Sequence, residues 1–175
     1  MAELSDIAAY VTDKVSSDSI TLEEYITTDN ILQNKGGKTL AANLPPNTCS
    51  LTAFKEGDVL VANIRPYLKK IWKADSCGGA SNDVLVFRAR DGHNPDFLYS
   101  VLLQDSFFEH CMKGAEGAKM PRGNKSNILR FPVPSISLQQ ECSVGSLISN
   151  LDKKIALNRQ TNCDLSDYNI TEKAA

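Results

Sequence analysis

Two groups of cationic side chains could bind an anionic ligand. The first lies within residues 63–73, which contain four basic residues and no acidic one. The second lies within residues 113–130, which contain five basic residues and one acidic residue, Glu116. Residues 1–34 have the opposite balance, with seven acidic side chains against Lys14 alone. Two basic clusters in an otherwise acidic chain indicate a local anionic partner, with nucleic acid as the first candidate, although solvated loops would give the same pattern.

The residue patterns that catalysis or metal binding requires are missing from the sequence. There is no glycine-rich phosphate-binding motif, and the two histidines, His93 and His110, are not spaced as a pair of metal ligands. We expect His93 to be a solvated turn residue and His110 to pack within a helix. The segment Asn43–Pro46 differs from an adenine-methylating Asn-Pro-Pro-Tyr motif, because a leucine interrupts it and no aromatic residue follows. The sequence therefore predicts a protein that is not an enzyme and has no metal or cofactor.

The composition is that of an ordinary globular protein. The chain has 175 residues, a formal net charge of -2 and 42% hydrophobic residues, enough for one compact domain with an appended element. Neither a signal peptide nor a membrane-spanning run is visible. The five cysteines are scattered and odd in number, which is typical of reduced thiols. We therefore expect a cytoplasmic location.

Several short segments have the pattern of strands and loops. Residues 59–64 and 83–88 are apolar runs that predict buried strands, and residues 25–28 are β-prone. Glycine and proline favour loops at residues 33–48 and 74–82. The aromatic residues Tyr67 and Trp72 are expected in the core.

Helical patterns occur at both ends of this region. Residues 4–15 could form a short amphipathic helix. Asn94-Pro95-Asp96 combines an N-cap side chain, a proline in the first turn and an early acid, and the apolar face beyond it extends toward a C-cap at Gly114. Residues 115–125 are small and cationic, and we expect a mobile or ligand-ordered loop there.

The last part of the chain has the pattern of a pairing helix. We place a boundary near residue 135, with a globular domain at 1–135 and a long helix at 136–175. Apolar and amide side chains recur on this helix at alternating spacings of three and four, which predicts a seam for a second helix. Two asparagines on the seam would lower stability but could fix the register. A helix folded back on its own domain is the alternative. The seam residues are Val144, Ile148, Leu151, Ile155, Asn158, Asn162 and Leu165.

Six segments, taken in order, carry a resemblance that spans nearly the whole chain. They resemble the target-recognition domain and long helix of type I restriction-modification specificity (S) subunits. The segments are Gly57–Lys70, Ser81–Arg88, Pro95–Tyr99, Gly117–Gly123, Phe131–Pro134 and Leu151–Gln160.

The resemblance implies a module that reads DNA without catalysing a reaction. An S subunit has two such units in tandem, each with a domain that reads half of a bipartite site and a helix that sets the distance between half-sites. The expected fold is α+β, a globular domain with a curved, mostly antiparallel sheet followed by one long C-terminal coiled-coil helix. Because this sequence holds one unit, it resembles a half-size S subunit or a fragment.

The implied partners are double-stranded DNA and the methyltransferase (modification) subunits of the same system. A single unit would pair with a second copy as a homodimer or with another half S subunit. A half-subunit that only pairs with or scaffolds methyltransferase chains, without reading DNA, is the alternative.

The candidate DNA-binding residues come from both basic clusters. Phosphate contacts are the commoner use of cations, so no base contact is assigned to any of them. For Arg65 a structural ion pair is the alternative. The candidates are Arg65, Lys69, Lys70, Lys119, Arg122 and Lys125.

Overall fold

The structure is a computed structural model that describes residues 1–117 and 119–173, without the side chains of residues 156, 159, 160 and 163–173. The described chain forms short strands, a group of helices and one long C-terminal helix. The strands are β1 (Ala2–Glu3), β2 (Ala8–Tyr10), β3 (Lys14–Ser16), β4 (Tyr25–Ile26), β5 (Ser50–Phe54), β6 (Val59–Ala62), β7 (Ile71–Lys73), β8 (Gly78–Ala80), β9 (Val84–Ala89) and β10 (Pro132–Val133). The α-helices are α1 (Leu4–Ile7), α2 (Pro95–Leu102), α3 (Asp105–Lys113), α4 (Lys125–Ile128) and α5 (Leu138–Lys173).

An antiparallel sheet of order β2-β9-β6-β7 lies at the centre of the fold. All four residues of β6 are buried, because both faces of this sheet are covered. Val59 and Val61 contribute to a core shared with the helices, whereas Leu60 contributes to a second core. Successive side chains on a strand point to opposite faces, so a strand covered on both faces is apolar throughout. The buried strands predicted at 59–64 and 83–88 are confirmed as β6 and β9.

Helix α2 begins where its capping residues predict. The Asn94 side chain accepts a hydrogen bond from the Phe97 N–H at 3.0 Å, and Pro95 occupies the first turn. The predicted single apolar face is divided between two helices, because the chain is extended at Gln104 before α3 begins. On α3 the ring of Phe107 lies in the helix-covered core, where it packs edge-to-face with three other phenylalanine rings.

A second sheet, of order β3-β5-β8-β4, covers the other face of the central sheet. Its strand β8 lies inside the segment 74–82, so the prediction of a loop throughout that segment is wrong. Glycines make this strand possible, because a Cβ on Gly78 would lie 2.1 Å from the carbonyl oxygen of Glu24. The strand pairs with β5 in antiparallel and with β4 in parallel register.

The amphipathic helix predicted at residues 4–15 is wrong beyond its first turn. Helix α1 ends at Ile7, and β2 follows directly to pair with β9. Leu4 and Ile7 are buried as their spacing indicated. Pairing with the edge of the sheet then satisfies the backbone groups that a longer helix would have bonded internally.

The long helix α5 is anchored to α2 through its first turns. Glu141 is buried and accepts a hydrogen bond from the Asn94 N–H at 2.9 Å, with His93 Nδ1 2.8 Å from its other carboxylate oxygen. Gly145 lies so close to α2 that a Cβ there would be 2.8 Å from the backbone nitrogen of Phe97. His93 lies in a turn as predicted, with its N–H bonded to the Arg90 carbonyl, but its side chain is half-buried against Glu141 and not fully solvated.

The fold confirms an α+β architecture with mostly antiparallel sheets and a C-terminal helix. Among the described residues, none of the helices combines the length and the apolar character needed to span a bilayer.

Candidate nucleic-acid interface

Main-chain hydrogen bonds join the two basic segments. We call residues 63–70, which connect β6 to β7, the first basic loop, and residues 119–125, which lead into α4, the second basic loop. The Arg65 N–H donates to the Pro121 carbonyl at 2.8 Å, and the Gly123 N–H donates to the Asn63 carbonyl at 3.1 Å. Ile64 also forms an isolated antiparallel bridge with Arg122. Residues more than 50 positions apart in sequence thus form one surface.

Close backbone approach between the loops depends on Gly123. A Cβ at this position would lie 2.8 Å from Asn63 Oδ1 and 2.9 Å from a methyl group of Ile128. Asn63 Oδ1 is buried and has no hydrogen-bond partner among the described residues. A larger residue at position 123 would therefore separate the two loops.

The first basic loop is held in an unusual backbone conformation. Arg65 and Lys69 both have left-handed φ angles, of 53° and 51°, and they flank a 3-10 turn at Pro66–Leu68. Non-glycine residues in this region are strained and persist only where the surrounding structure holds them. The turn also contacts α3. The loop is consequently a fixed platform for its side chains.

A third segment supports this platform and adds a lysine that the sequence analysis missed. Asn34 and Lys35, also left-handed, donate their N–H groups to the carbonyls of Leu68 and Lys69 at 2.9 Å each. Lys35 and Lys69 both pair with Asp105, at 2.6 and 3.1 Å. The hydrogen bond from Lys35, and then that from Lys69, lower the pKa of the Asp105 carboxyl below its ordinary value. Lys35 lies in a segment read only as a loop, and nothing in the sequence links it to the first basic loop.

Three of the six predicted cations already have partners within the chain. Arg122 pairs with Asp83 at 2.9 Å while remaining exposed, and Lys69 pairs with Asp105. Lys70 Nζ donates to the Thr28 carbonyl. These side chains combine a structural contact with a position beside the joined loops.

The other three predicted cations are exposed. Within the part of the chain that the structure describes, Arg65, Lys119 and Lys125 form no ion pair. The ion pair considered for Arg65 is thus not seen there. Lys125 begins α4, and its carbonyl accepts from the Tyr10 hydroxyl at 3.0 Å. The loop predicted at residues 115–125 ends where α4 begins, at Lys125.

The two aromatic residues expected in the core have different positions. Trp72 is 7% exposed and packs in the core between the two sheets, with Lys38 Nζ 4.6 Å from the ring centroid. Tyr67 is 51% exposed at the middle of the 3-10 turn, so its prediction as a core residue is wrong. Met120, in the second basic loop, is also 51% exposed. Two large apolar side chains thus lie among the cations of the joined loops.

His110 and the cysteines lie apart from the joined loops in the sequence and are separate candidates for chemistry. His110 packs edge-to-face on Phe131, and its Nε2 lies 2.8 Å from the Asn127 carbonyl oxygen, as expected for a packing residue. Cys49, Cys77, Cys111 and Cys142 are free thiols, and Cys163 lies outside the described side chains. The described residues contain no group of three or more His, Cys, Asp or Glu side chains placed to bind a metal ion.

The predicted seam of α5 is mostly exposed where the structure describes it. Val144, Leu151 and Ile155 are 41%, 49% and 48% exposed. Asn158 and Asn162 are exposed too, Ile148 is half-buried, and the side chain of Leu165 lies outside the described part.

Comparison with solved structures identifies the fold. The chain is similar to the HsdS subunit from Thermoanaerobacter tengcongensis, with a TM-score of 0.66, 19% identity, and 93% of this chain and 44% of that chain covered. It is similar to a chain from a structural study of complex assembly and conformational transition of the type I R-M system, with a TM-score of 0.62, 17% identity, and coverage of 90% and 43%. It is also similar to the type I restriction-modification S subunit from M. genitalium, with a TM-score of 0.60, 14% identity, and coverage of 89% and 39%.

These likenesses show that the chain has the fold of an S-subunit target-recognition domain with its helix. The chain spans less than half the length of each of these proteins. No protein-family model and no curated protein matches the sequence.

Proposed function

We propose that this chain reads one half of a bipartite DNA site as a non-catalytic specificity unit of a type I restriction-modification system. The observation that carries the proposal is the joining of the two basic loops by main-chain hydrogen bonds, since it gathers cations from distant parts of the sequence on one surface. The fold, similar to that of S subunits, supports the same role.

The joined loops would grip the phosphate backbone of a duplex. Arg65, Lys119 and Lys125 are exposed and free of ion pairs among the described residues, so they would meet phosphates without first breaking a contact. Arg122 would exchange or share its pair with Asp83, while Lys69 and Lys70 would contribute positive potential beside the platform. Each neutralised phosphate releases counterions, so the affinity would depend strongly on salt.

The helix α5 would supply the second unit by pairing as a coiled coil, which divides the chain functionally into 1–135 and 136–175. The face of α5 that docks on α2 includes Glu141 and Gly145, whereas the seam includes Val144 and Leu151. At 3.6 residues per turn these two faces are about 90° apart on the helix. The seam would therefore be available to a second copy, or to another half S subunit, while the domain stays docked.

The chain would act by bringing methyltransferase subunits to the DNA, and those subunits would supply the catalysis. A unit with these partners would act in the cytoplasm.

Loss of two cations from the second basic loop tests the proposal. The chain carrying Lys119→Ala and Arg122→Ala should bind duplex DNA about tenfold more weakly at low salt. The slope of log affinity against log salt should fall by about two, since each phosphate contact contributes about 0.9. Fluorescence anisotropy with labelled duplex measures both quantities, and circular dichroism checks that the fold is retained.

Lys55→Ala is the matched control, because Lys55 precedes β6 at the end of the strand opposite the first basic loop. Unchanged binding by the double variant would show that the second basic loop does not contact DNA. A wild-type chain that binds no duplex, with or without methyltransferase subunits, would favour the half-subunit that only pairs or scaffolds.

A further inference from the structure

We propose that Tyr67 and Met120 are the base-contacting residues of the joined loops and set the sequence preference of this unit. This inference rests on the proposed DNA-reading function. Both side chains are 51% exposed, and they lie on the two loops that the Arg65–Pro121 hydrogen bond connects.

Tyr67 is held in place by the backbone around it. The residue lies at the centre of a single 3-10 turn, with left-handed Arg65 before the turn and left-handed Lys69 after it. The N–H groups of residues 34 and 35 are bonded to the carbonyls of Leu68 and Lys69. An aromatic side chain on so fixed a turn loses little conformational freedom when it meets a ligand.

Met120 lies beside the same contact. Its neighbour Pro121 accepts the Arg65 N–H, and its other neighbour, Lys119, is an exposed cation. A methionine side chain is unbranched and polarisable and adapts to irregular surfaces, which suits Met120 to contact with a ligand bound at the joined loops.

The charges around these two side chains indicate which kind of partner the surface would bind. Arg65 and Lys119 are exposed cations without an ion pair among the described residues. Arg65 lies two positions before Tyr67, and Lys119 directly precedes Met120. A partner that covers this surface must be anionic at its rim and apolar between the charges. Duplex DNA has this arrangement, since phosphates flank grooves that display thymine methyl groups and, where the duplex is kinked, base faces.

The cations and the two apolar side chains should make different contributions to DNA binding. Cations on phosphates give affinity and position the protein but carry no sequence information, whereas apolar contacts with base edges or steps discriminate between sequences. The loss of Tyr67 or Met120 should therefore weaken binding to the preferred duplex with little effect on binding to other sequences, whereas the loss of Lys119 should weaken binding to both.

Selection from a random duplex library tests the assignment. The wild-type full chain, with methyltransferase subunits present if needed for binding, yields an enriched duplex, and a scrambled duplex serves as reference. In the double variant Tyr67→Ser and Met120→Ser, the ratio of affinities for enriched and scrambled duplex should fall by about tenfold. Affinity for the scrambled duplex and its salt slope should stay within about twofold, because no charge is removed.

Two control variants are measured in the same experiment. Leu22→Ser removes another exposed apolar side chain, 37% exposed and ahead of β4, and should leave the ratio unchanged. The conservative variant Tyr67→Phe with Met120→Leu should retain most of the discrimination.

A second measurement uses the unmutated chain. Photocrosslinking to the enriched duplex containing 5-iodouracil, followed by peptide mapping, should locate crosslinks at Tyr67 or Met120. Crosslinks confined to other residues, or a discrimination ratio that survives both serine substitutions, would overturn the assignment while the proposed DNA-reading function stands. A wild-type chain that binds no duplex, or binds without any preference, would overturn both.

Discussion

Cys111 lies on α3 with its side chain in the helix-covered core, beside Phe107 and Phe108. Burial raises the pKa of the Cys111 thiol to about 12, so almost none of it is thiolate at neutral pH. Thiolate is the nucleophile in alkylation, so this residue should stay unlabelled in the folded chain. Iodoacetamide treatment with peptide mass mapping should modify the exposed Cys49 and Cys142 while leaving Cys111 intact.

Unfolding in denaturant provides the control, because all cysteines should then react. Early labelling of Cys111 in native buffer, at a rate close to that of Cys49, would contradict the buried position of its side chain.

Glu141 has a buried carboxylate, and its substitution should lower the stability of the fold by a predictable amount. Glu141→Ala removes the acceptor for the Asn94 N–H and the partner of His93 Nδ1. Leaving these partly buried polar groups unpaired costs about 1–3 kcal/mol, which for a chain of this length lowers the melting temperature by about 2–12 °C. Differential scanning calorimetry measures the shift.

Glu109→Ala is the matched control for that experiment, since Glu109 is exposed on α3 and its loss should change stability by less than about 0.5 kcal/mol. Equal melting temperatures for the Glu141 and Glu109 variants would show that the hydrogen bonds of Glu141 to His93 and Asn94 contribute nothing to stability.

Single residues also show what a sequence can reveal about position. Asn94 was predicted correctly because a cap depends on neighbours three residues away. Tyr67 and Trp72 were given the same prediction, but only Trp72 is covered by the second sheet. What covers a side chain depends on contacts that are distant in sequence, so a single aromatic residue carries little information about burial.

At the scale of elements, the long helix has faces with different partners. Seen down the axis of α5, the docked side with Glu141 and Gly145 is separate from the side with Leu151 and Ile155. Burial raises the pKa of the Tyr99 hydroxyl on α2, and the charge and hydrogen bond of Asp152 raise it further. Because Asp152 lies on α5, this contact extends the docked face of α5 by several turns beyond Glu141.

Leu151→Asp should convert a dimer of this chain into a folded monomer. Leu151 is 49% exposed, so the aspartate costs little in the monomer, whereas a charge buried without a partner in the seam is costly. Leu151→Asp tests dimerisation more specifically than Ile148→Asp does. Ile148 is half-buried, so its substitution would also disturb packing within the chain. Sedimentation velocity at micromolar concentration distinguishes the two states.

The control is Leu157→Asp, which introduces the same charge at a 65% exposed leucine on α5. This residue lies about 140° around the helix from the seam, so dimerisation should persist. A wild-type chain that sediments as a monomer would mean that the seam has a partner other than a second copy.

Elements were predictable where the pattern is local and dominated by burial. The apolar runs of β6 and β9 and the capped start of α2 are such cases. Strand β8 was missed because Gly78 and Gly79 normally signal a loop, and here they allow close packing against Glu24 and Leu51. The division between α2 and α3 was missed because no glycine, proline or capping side chain marks the extended residue Gln104, where the helices separate.

On the scale of the whole molecule, the charge pattern predicted that two segments bind an anion but not how they meet. Their junction depends on the Arg65–Pro121 and Gly123–Asn63 backbone bonds, which side-chain patterns do not encode. Lys35 reaches the first basic loop through a left-handed backbone conformation at residues 34 and 35, which could not be predicted from the sequence either. The fold class could be predicted from the sequence, whereas the set of residues that form the surface of the joined loops became known only from the structure.

The proposed dimer makes a prediction about the DNA itself. Two copies related by a twofold axis through the α5 seam would present identical reading surfaces in opposite orientations. The duplex selected by the wild-type chain should therefore contain an inverted repeat of one half-site, with a fixed number of base pairs between the halves. The same selection with Leu151→Asp should enrich only one half-site, because the monomer has a single reading surface, while Leu157→Asp should still select both halves. An enriched site without a repeat in the wild-type selection would exclude the symmetric dimer and indicate pairing with a different half-subunit.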